Sequence, residues 1–283
     1  MSDAVPAPAS LPEPSTEAGR TALAAIVEAP DRALAALDYD GTLSRITTRP
    51  EDAVPAPGAL EALRLLADRF GAVVLITGRP VEQLLELTGL RSDPAGSRLT
   101  VLAQYGLQRW NGHENRVTSP DPLPGVARAR TALAQLLADP STPAGVTVED
   151  KGQALVVHTR QTADATGILA ALTPRLTEIA ERAGLEPHPA RNALELRPPG
   201  FEKGGALRGF VRERAAEAVM FIGDDVGDLP AFAVLDELRG QGIPGLGIVS
   251  DSHEVEGLRE YADLLLPGPD GVVAFLHQLA EAV

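Results

Sequence analysis

The chain of 283 residues contains no cysteine. That excludes disulfides, thiolate-held metals and a cysteine nucleophile. Lysine is nearly absent as well: Lys151 and Lys203 are the only two among 25 basic residues. Acidic residues number 39, and the net charge of -14 repels a polyanion such as nucleic acid. A small anionic substrate then needs locally placed cations or a metal. Aromatics are only 4%, so Ala, Val, Leu and Ile must build the core. No apolar run reaches transmembrane length. The N-terminus lacks a basic segment followed by an apolar one. The expectation is a soluble cytoplasmic protein with no nucleic-acid or membrane partner, a monomer by default.

What is present alternates. After a Pro/Ala/Ser-rich stretch, residues 1–19, which reads as a disordered tail, helical and strand patterns take turns. "RALAALDYD", "AVVLITG", "LTVLAQYG" and "AVMFIG" are apolar on both faces, as strands of a parallel sheet covered by helices must be. Between about 108 and 200 the pattern changes. There "GVTVED" and "QALVVHTR", then "LEPHPA" and "NALELRP", come as strand pairs between long helices, as in an antiparallel sheet carrying two helices. The simplest account is one α/β domain, residues 20–107 and 201–283, interrupted by a smaller α+β domain, residues 108–200.

Ligands of open parallel sheets bind beyond the carboxyl ends of the strands. Those ends carry Asp38-Tyr39-Asp40-Gly41-Thr42, then Thr77-Gly78-Arg79, then Lys203 opening a helix, then Gly223-Asp224-Asp225-Val226-Gly227-Asp228. Singly, each reads as a turn or a helix cap. Gathered at one edge, the acids repel unless a cation joins them. An all-oxygen donor set selects a hard cation, and Mg²⁺ suits phosphate chemistry. Asp38 and Asp40 point the same way on an extended segment, so one can attack while the other handles a proton. The spacing does not say which. Thr77 and Lys203 can hold phosphate oxygens, helped by backbone N–H groups near Gly41 and Thr42.

"LDYDGTL", "LITGRP", "KGGAL" and "GDDVGD", in that order, resemble the four motifs of haloacid dehalogenase-type phosphatases. The resemblance implies an α/β fold, with a Rossmann-like parallel-sheet core and an inserted α+β cap domain of the second type. It makes Asp38 the nucleophile and Asp40 the acid/base. It places Mg²⁺ on Asp38, the main-chain carbonyl of Asp40, and Asp224, with Asp225 and Asp228 in support. Gly78 and Arg79 join Gly41 and Thr42 as substrate contacts.

From spacing alone, Glu149 and Lys151 read as an ordinary surface pair on a strand, worth little for stability. Together with "VVHTR" and "NALELRPPGFEKGGAL", however, they resemble the cap of trehalose-6-phosphate phosphatases. That resemblance implies trehalose 6-phosphate as substrate and Glu149, Lys151 and Glu195 as sugar ligands. Arg197 reads as structural, bracing Glu195 or the hinge. His158 on an alternating strand reads more simply as a packed residue. Two departures stand out: Gly227 and Leu229 replace the Thr and Glu common in the fourth motif, and Tyr105 precedes Gly106 where many members carry His. Competing expectations are a phosphatase for sucrose, mannosylglycerate or glucosylglycerate phosphates, and a receiver-like phospho-switch.

Overall fold

The computed structural model describes residues 11–47, 49–190, 192–251 and 257–283. The chain divides into two compact units, Met1–Ser119 with Glu202–Val283, and Pro120–Phe201. The first unit begins with α1 (Glu17–Glu28), β1 (Ala33–Leu37), α2 (Ala59–Ala67), β2 (Ala72–Ile76), α3 (Val81–Thr88), β3 (Leu99–Ala103), β4 (Gln108–Asn111) and β5 (Arg116–Thr118). The second contains α4 (Pro124–Ala138), β6 (Thr147–Asp150), β7 (Leu155–His158), α5 (Ala165–Ala183), β8 (Glu186–Ala190) and β9 (Ala193–Arg197). The chain then completes the first unit with α6 (Lys203–Arg214), β10 (Ala218–Gly223), α7 (Leu229–Gly240), β11 (Gly245–Ser250), β12 (Leu264–Leu266) and α8 (Gly268–Ala282).

The apolar runs become the sheet of the first unit, in the order β12-β11-β10-β1-β2-β3-β4-β5. Side chains alternate across it. Ala33, Ala35 and Leu37 of β1 join the core beneath α1, α2, α3 and α8. Leu34 and Ala36 join the core beneath α6 and α7. The pairing from β12 to β3 is parallel, and Leu37 is level with both Ile222 of β10 and Leu75 of β2. These three strands therefore end together, which brings the loops that follow them to one edge.

β4 and β5 add two antiparallel strands at the β3 side. The sequence reading assigned residues from 108 onward to the inserted domain. In the structure the first unit runs on to Ser119, because Trp110 of β4 is fully buried in its core. Its indole N–H donates to Asn115 Oδ1 at 3.1 Å. Apart from Val117, the rest of "QRWNGHENRVT" carries no large apolar side chain, so the hairpin shows little apolar periodicity.

The expected disordered tail is ordered from Leu11 on; its first ten residues lie outside the described residues. Ser15 N–H and hydroxyl both donate to the carbonyl of Asp263, at 2.8 and 3.0 Å. Thr16 caps α1 by accepting from Gly19 N–H at 2.9 Å, and its hydroxyl donates to the Asp263 carboxylate. Composition alone hides a tether whose anchor lies far along the chain.

In the second unit the sheet order is β6-β7-β9-β8, antiparallel throughout. Leu155, Val157, Leu194 and Leu196 point to α4 and α5. By alternation, Glu149, His158, Glu195, Arg197 and His188 share the other face. No helix among the described residues is long and apolar enough to cross a membrane.

Candidate active site

Burial separates the five acids of the first unit. Asp38, Asp224 and Asp228 are 4%, 2% and 0% exposed, and each offers an oxygen within 4.8 Å of the others. Buried like charges need a counter-charge. Lys203, itself buried at the first turn of α6, supplies part of it: its Nζ lies 2.6 Å from Asp38 Oδ1 and 2.7 Å from Asp228 Oδ1. Asp228 also accepts through Oδ2 from the N–H groups of Asp224 (2.9 Å) and Asp225 (3.2 Å). Asp228 therefore positions Lys203 and the loop after β10.

Asp40 and Asp225 stand apart from the three-carboxylate cluster. Arg79 grips Asp40 with both arms of its guanidinium, Nε to Oδ2 and Nη2 to Oδ1, each at 2.6 Å. It also donates to the carbonyl of Pro50 at 2.9 Å. Asp225 is exposed and accepts from Gly227 N–H at 2.8 Å, capping the short turn Val226–Asp228. The replacement of the common Thr by Gly227 thus leaves this cap intact.

The backbone makes room for these groups. Gly41 has φ +78°, and a Cβ there would stand 1.9 Å from Asp224 Oδ2. Only glycine tolerates both the left-handed conformation and that approach. Its carbonyl accepts from the buried Ser250 hydroxyl at 2.7 Å, a support from the end of β11 that no motif announced. Thr77 is buried, and its hydroxyl accepts from Arg79 N–H at 3.1 Å. A Cβ on Gly78 would stand 2.7 Å from the Tyr105 hydroxyl. Thr42 Oγ1 is buried with no partner among the described residues.

The ionisation follows. Burial pushes Asp38 well above the carboxylate range, with the Lys203 ammonium pulling it back. Burial, then the charges of Asp38, Asp228 and Asp225, push Asp224 up to about 10. Burial works against the charge on Lys203, yet Asp228, Asp38 and Asp225 hold it well above its ordinary value. With one ammonium among three buried carboxyl groups, ionising all three would leave a negative surplus, and Asp224 Oδ1 is buried with no hydrogen-bond partner among the described residues. That orphaned oxygen and the all-oxygen donor set fit a hard divalent cation.

In the second unit, Lys151 Nζ lies 3.0 Å from Glu195 Oε1, with the two side chains 17% and 6% exposed. This is not the surface pair that spacing alone suggests. Arg197 Nη1 lies 3.6 Å from Glu195 Oε2. Glu149 pairs with His158 Nε2 at 2.9 Å, and Arg160 lies 2.8 Å from His158 Nδ1. The hydrogen bond with His158, against the cost of burial, lowers the pKa of Glu149. His158 is thus tied to one of the expected ligands, a link its position on an alternating strand does not reveal.

The trehalose-phosphatase family model matches residues 36–264. Trehalose-6-phosphate phosphatase of Escherichia coli is 31% identical over 227 residues, covering 78% of this chain and 80% of that protein. An uncharacterized glycosyl hydrolase of Mycobacterium tuberculosis is 34% identical over 256 residues, but the chain spans only 18% of its length. The chain spans 60% of the trehalose-phosphate phosphatase of Mycobacterium marinum, at 32% identity. Among solved structures, the C-terminal domain of Candida albicans trehalose-6-phosphate phosphatase superposes with a TM-score of 0.74 at 18% identity, covering 97% of this chain and 100% of that one. At that identity the superposition shows a common fold. A haloacid dehalogenase-like hydrolase of Bacteroides thetaiotaomicron shares that fold, with a TM-score of 0.58. With a family match running from inside β1 to β12, the chain belongs to the trehalose-phosphatase family.

Proposed function

We propose that this protein hydrolyses trehalose 6-phosphate to trehalose and inorganic phosphate through an aspartyl-phosphate intermediate. The observation that carries the reading is the buried Lys203, joined at once to Asp38 and Asp228 beside the partnerless oxygen of Asp224. A purely structural ion pair has no use for surplus buried acid at a sheet edge.

An oxygen of Asp38 attacks phosphorus, and the bond from phosphorus to the sugar oxygen breaks. Asp40 gives its proton to the departing oxygen. It then takes a proton from the water that attacks the acyl phosphate, which frees phosphate and restores Asp38. Because Arg79 holds both oxygens of Asp40, the proton step needs one arm of that fork to open. Thr77 and Lys203 hold the phosphoryl oxygens as charge spreads onto them, with the Gly41, Thr42 and Gly78 backbone alongside. Asp38, Asp224 and the main-chain carbonyl of Asp40 would hold Mg²⁺, with Asp228 and Asp225 in support. When bound, that ion supplies positive charge to the nucleophile and the phosphoryl oxygens.

Selection of the sugar falls to the second unit. Carboxylates accept from sugar hydroxyls and an ammonium donates to them, and Glu149, Lys151 and Glu195 provide both. The test is phosphate release by Asp38→Asn, which should be abolished. Turnover close to wild type would remove Asp38 as nucleophile.

A further inference from the structure

Charge is buried on the helix-free face of the second unit's sheet, where it costs stability unless each member has a partner. Glu195, on β9, accepts from Lys151 on one side and pairs with Arg197 on the other. Arg197 in turn meets an imidazole: its Nη2 lies 3.0 Å from Nδ1 of His188, on the neighbouring strand β8. A guanidinium has only donors, so Nδ1 must accept. His188 is then neutral, with its proton on Nε2. Burial, and then the Arg197 charge, hold its pKa below the usual histidine value, in agreement. Nε2 is buried with no hydrogen-bond partner among the described residues, and a Glu186 carboxylate oxygen is 3.4 Å away, too far for a good hydrogen bond. The ring's secure polar contact is the one it makes with Arg197.

We propose that His188 and Arg197 form a positioning pair that fixes Glu195 against the sugar, and so sets the preference for a large polyhydroxylated phosphate ester over a small one. The proposal rests on the function proposed above. Without the imidazole, Arg197 Nη2 loses the acceptor that orients it, and the contact of Nη1 with Glu195 Oε2 is less well fixed. Lysine cannot replace Arg197, because a point charge cannot serve both His188 and Glu195 in one plane.

The experiment compares wild type, His188→Asn, His188→Leu, Arg197→Lys and Arg197→Met with Mg²⁺ present. Substrates are trehalose 6-phosphate and p-nitrophenyl phosphate, and melting temperatures confirm folding. His188→Leu, Arg197→Met and Arg197→Lys should raise KM for trehalose 6-phosphate about tenfold, the scale of one charge-assisted hydrogen bond. Their kcat/KM on p-nitrophenyl phosphate should change by less than about twofold. In His188→Asn the amide oxygen takes the place of Nδ1, and KM should stay within about threefold of wild type. An unchanged KM in His188→Leu, or equal losses on both substrates, overturns the proposal. If wild type does not hydrolyse trehalose 6-phosphate, the substrate reading falls separately. Nitrogen-15 NMR of His188 then decides the pair: an accepting Nδ1 that shifts in Arg197→Met supports it, and a protonated Nδ1 overturns it.

Discussion

Lys203→Met is the most informative single change in the first unit. It keeps an unbranched stem of similar length and removes only the ammonium. In the native chain that ammonium lies 2.6 Å from Asp38 and 2.7 Å from Asp228, both buried. Breaking a buried pair by removing one partner costs about 3–5 kcal/mol. At roughly 2–4 °C per kcal/mol for a unit of this size, the melting temperature should fall by about 6–20 °C. The loss should also depend on pH. Burial already raises the pKa values of Asp38 and Asp228, and Lys203 restrains both. Without it they rise further, so the folded state binds protons that the unfolded state releases. Stability is then present below the ordinary carboxyl pKa and is lost as pH rises through the raised folded values. Thermal unfolding without divalent metal, at about pH 5 and about pH 8, should show the larger deficit at the higher pH. Phosphate release should drop by at least about a hundredfold, the scale for losing one preorganised donor to the transferring group. A melting temperature within about 2 °C of wild type, together with intact turnover, would refute the reasoning.

The other predictions concern single groups. With the Asp224 pKa raised to about 10, the metal-free protein should lose stability as pH climbs from about 4 toward 10, and Mg²⁺ should flatten that slope in thermal unfolding. Gly41→Ala places a Cβ 1.9 Å from Asp224 Oδ2 at a left-handed φ, so Mg²⁺ binding by calorimetry should weaken by at least about tenfold. Lys151→Ala removes the ammonium 3.0 Å from the buried Glu195 carboxylate, and should raise KM for trehalose 6-phosphate while largely sparing p-nitrophenyl phosphate.

The parallel strands and the residues at their ends were legible because buried parallel strands leave unbroken apolar runs and ligands gather at their carboxyl edge. Asp38, Thr77, Lys203 and Asp224 could be placed there by pattern alone. What pattern could not give was pairing. Asp38 and Asp40 share a spacing, yet one lies against Lys203 and the other in the grip of Arg79, a difference set by side chains from the start of α6 and from the loop after β2. The same holds for Glu195, which meets Lys151 from the turn after β6 as well as Arg197 of its own strand. The hairpin of β4 and β5 escaped because a polar edge hairpin with one buried tryptophan has almost no period to read. Residues 11–16 escaped because much of their tether is Asp263, which no local signal connects to them.

The central claim is that the carboxylates and lysine at this sheet edge hydrolyse a disaccharide phosphate with the help of a divalent cation. The most direct measurement is phosphate release from trehalose 6-phosphate by the wild-type protein, beside glucose 6-phosphate and sucrose 6-phosphate, with Mg²⁺ and with excess chelator. Fast release from trehalose 6-phosphate alone, abolished by the chelator, is the predicted result. Comparable rates on glucose 6-phosphate, or undiminished release in chelator, would contradict it.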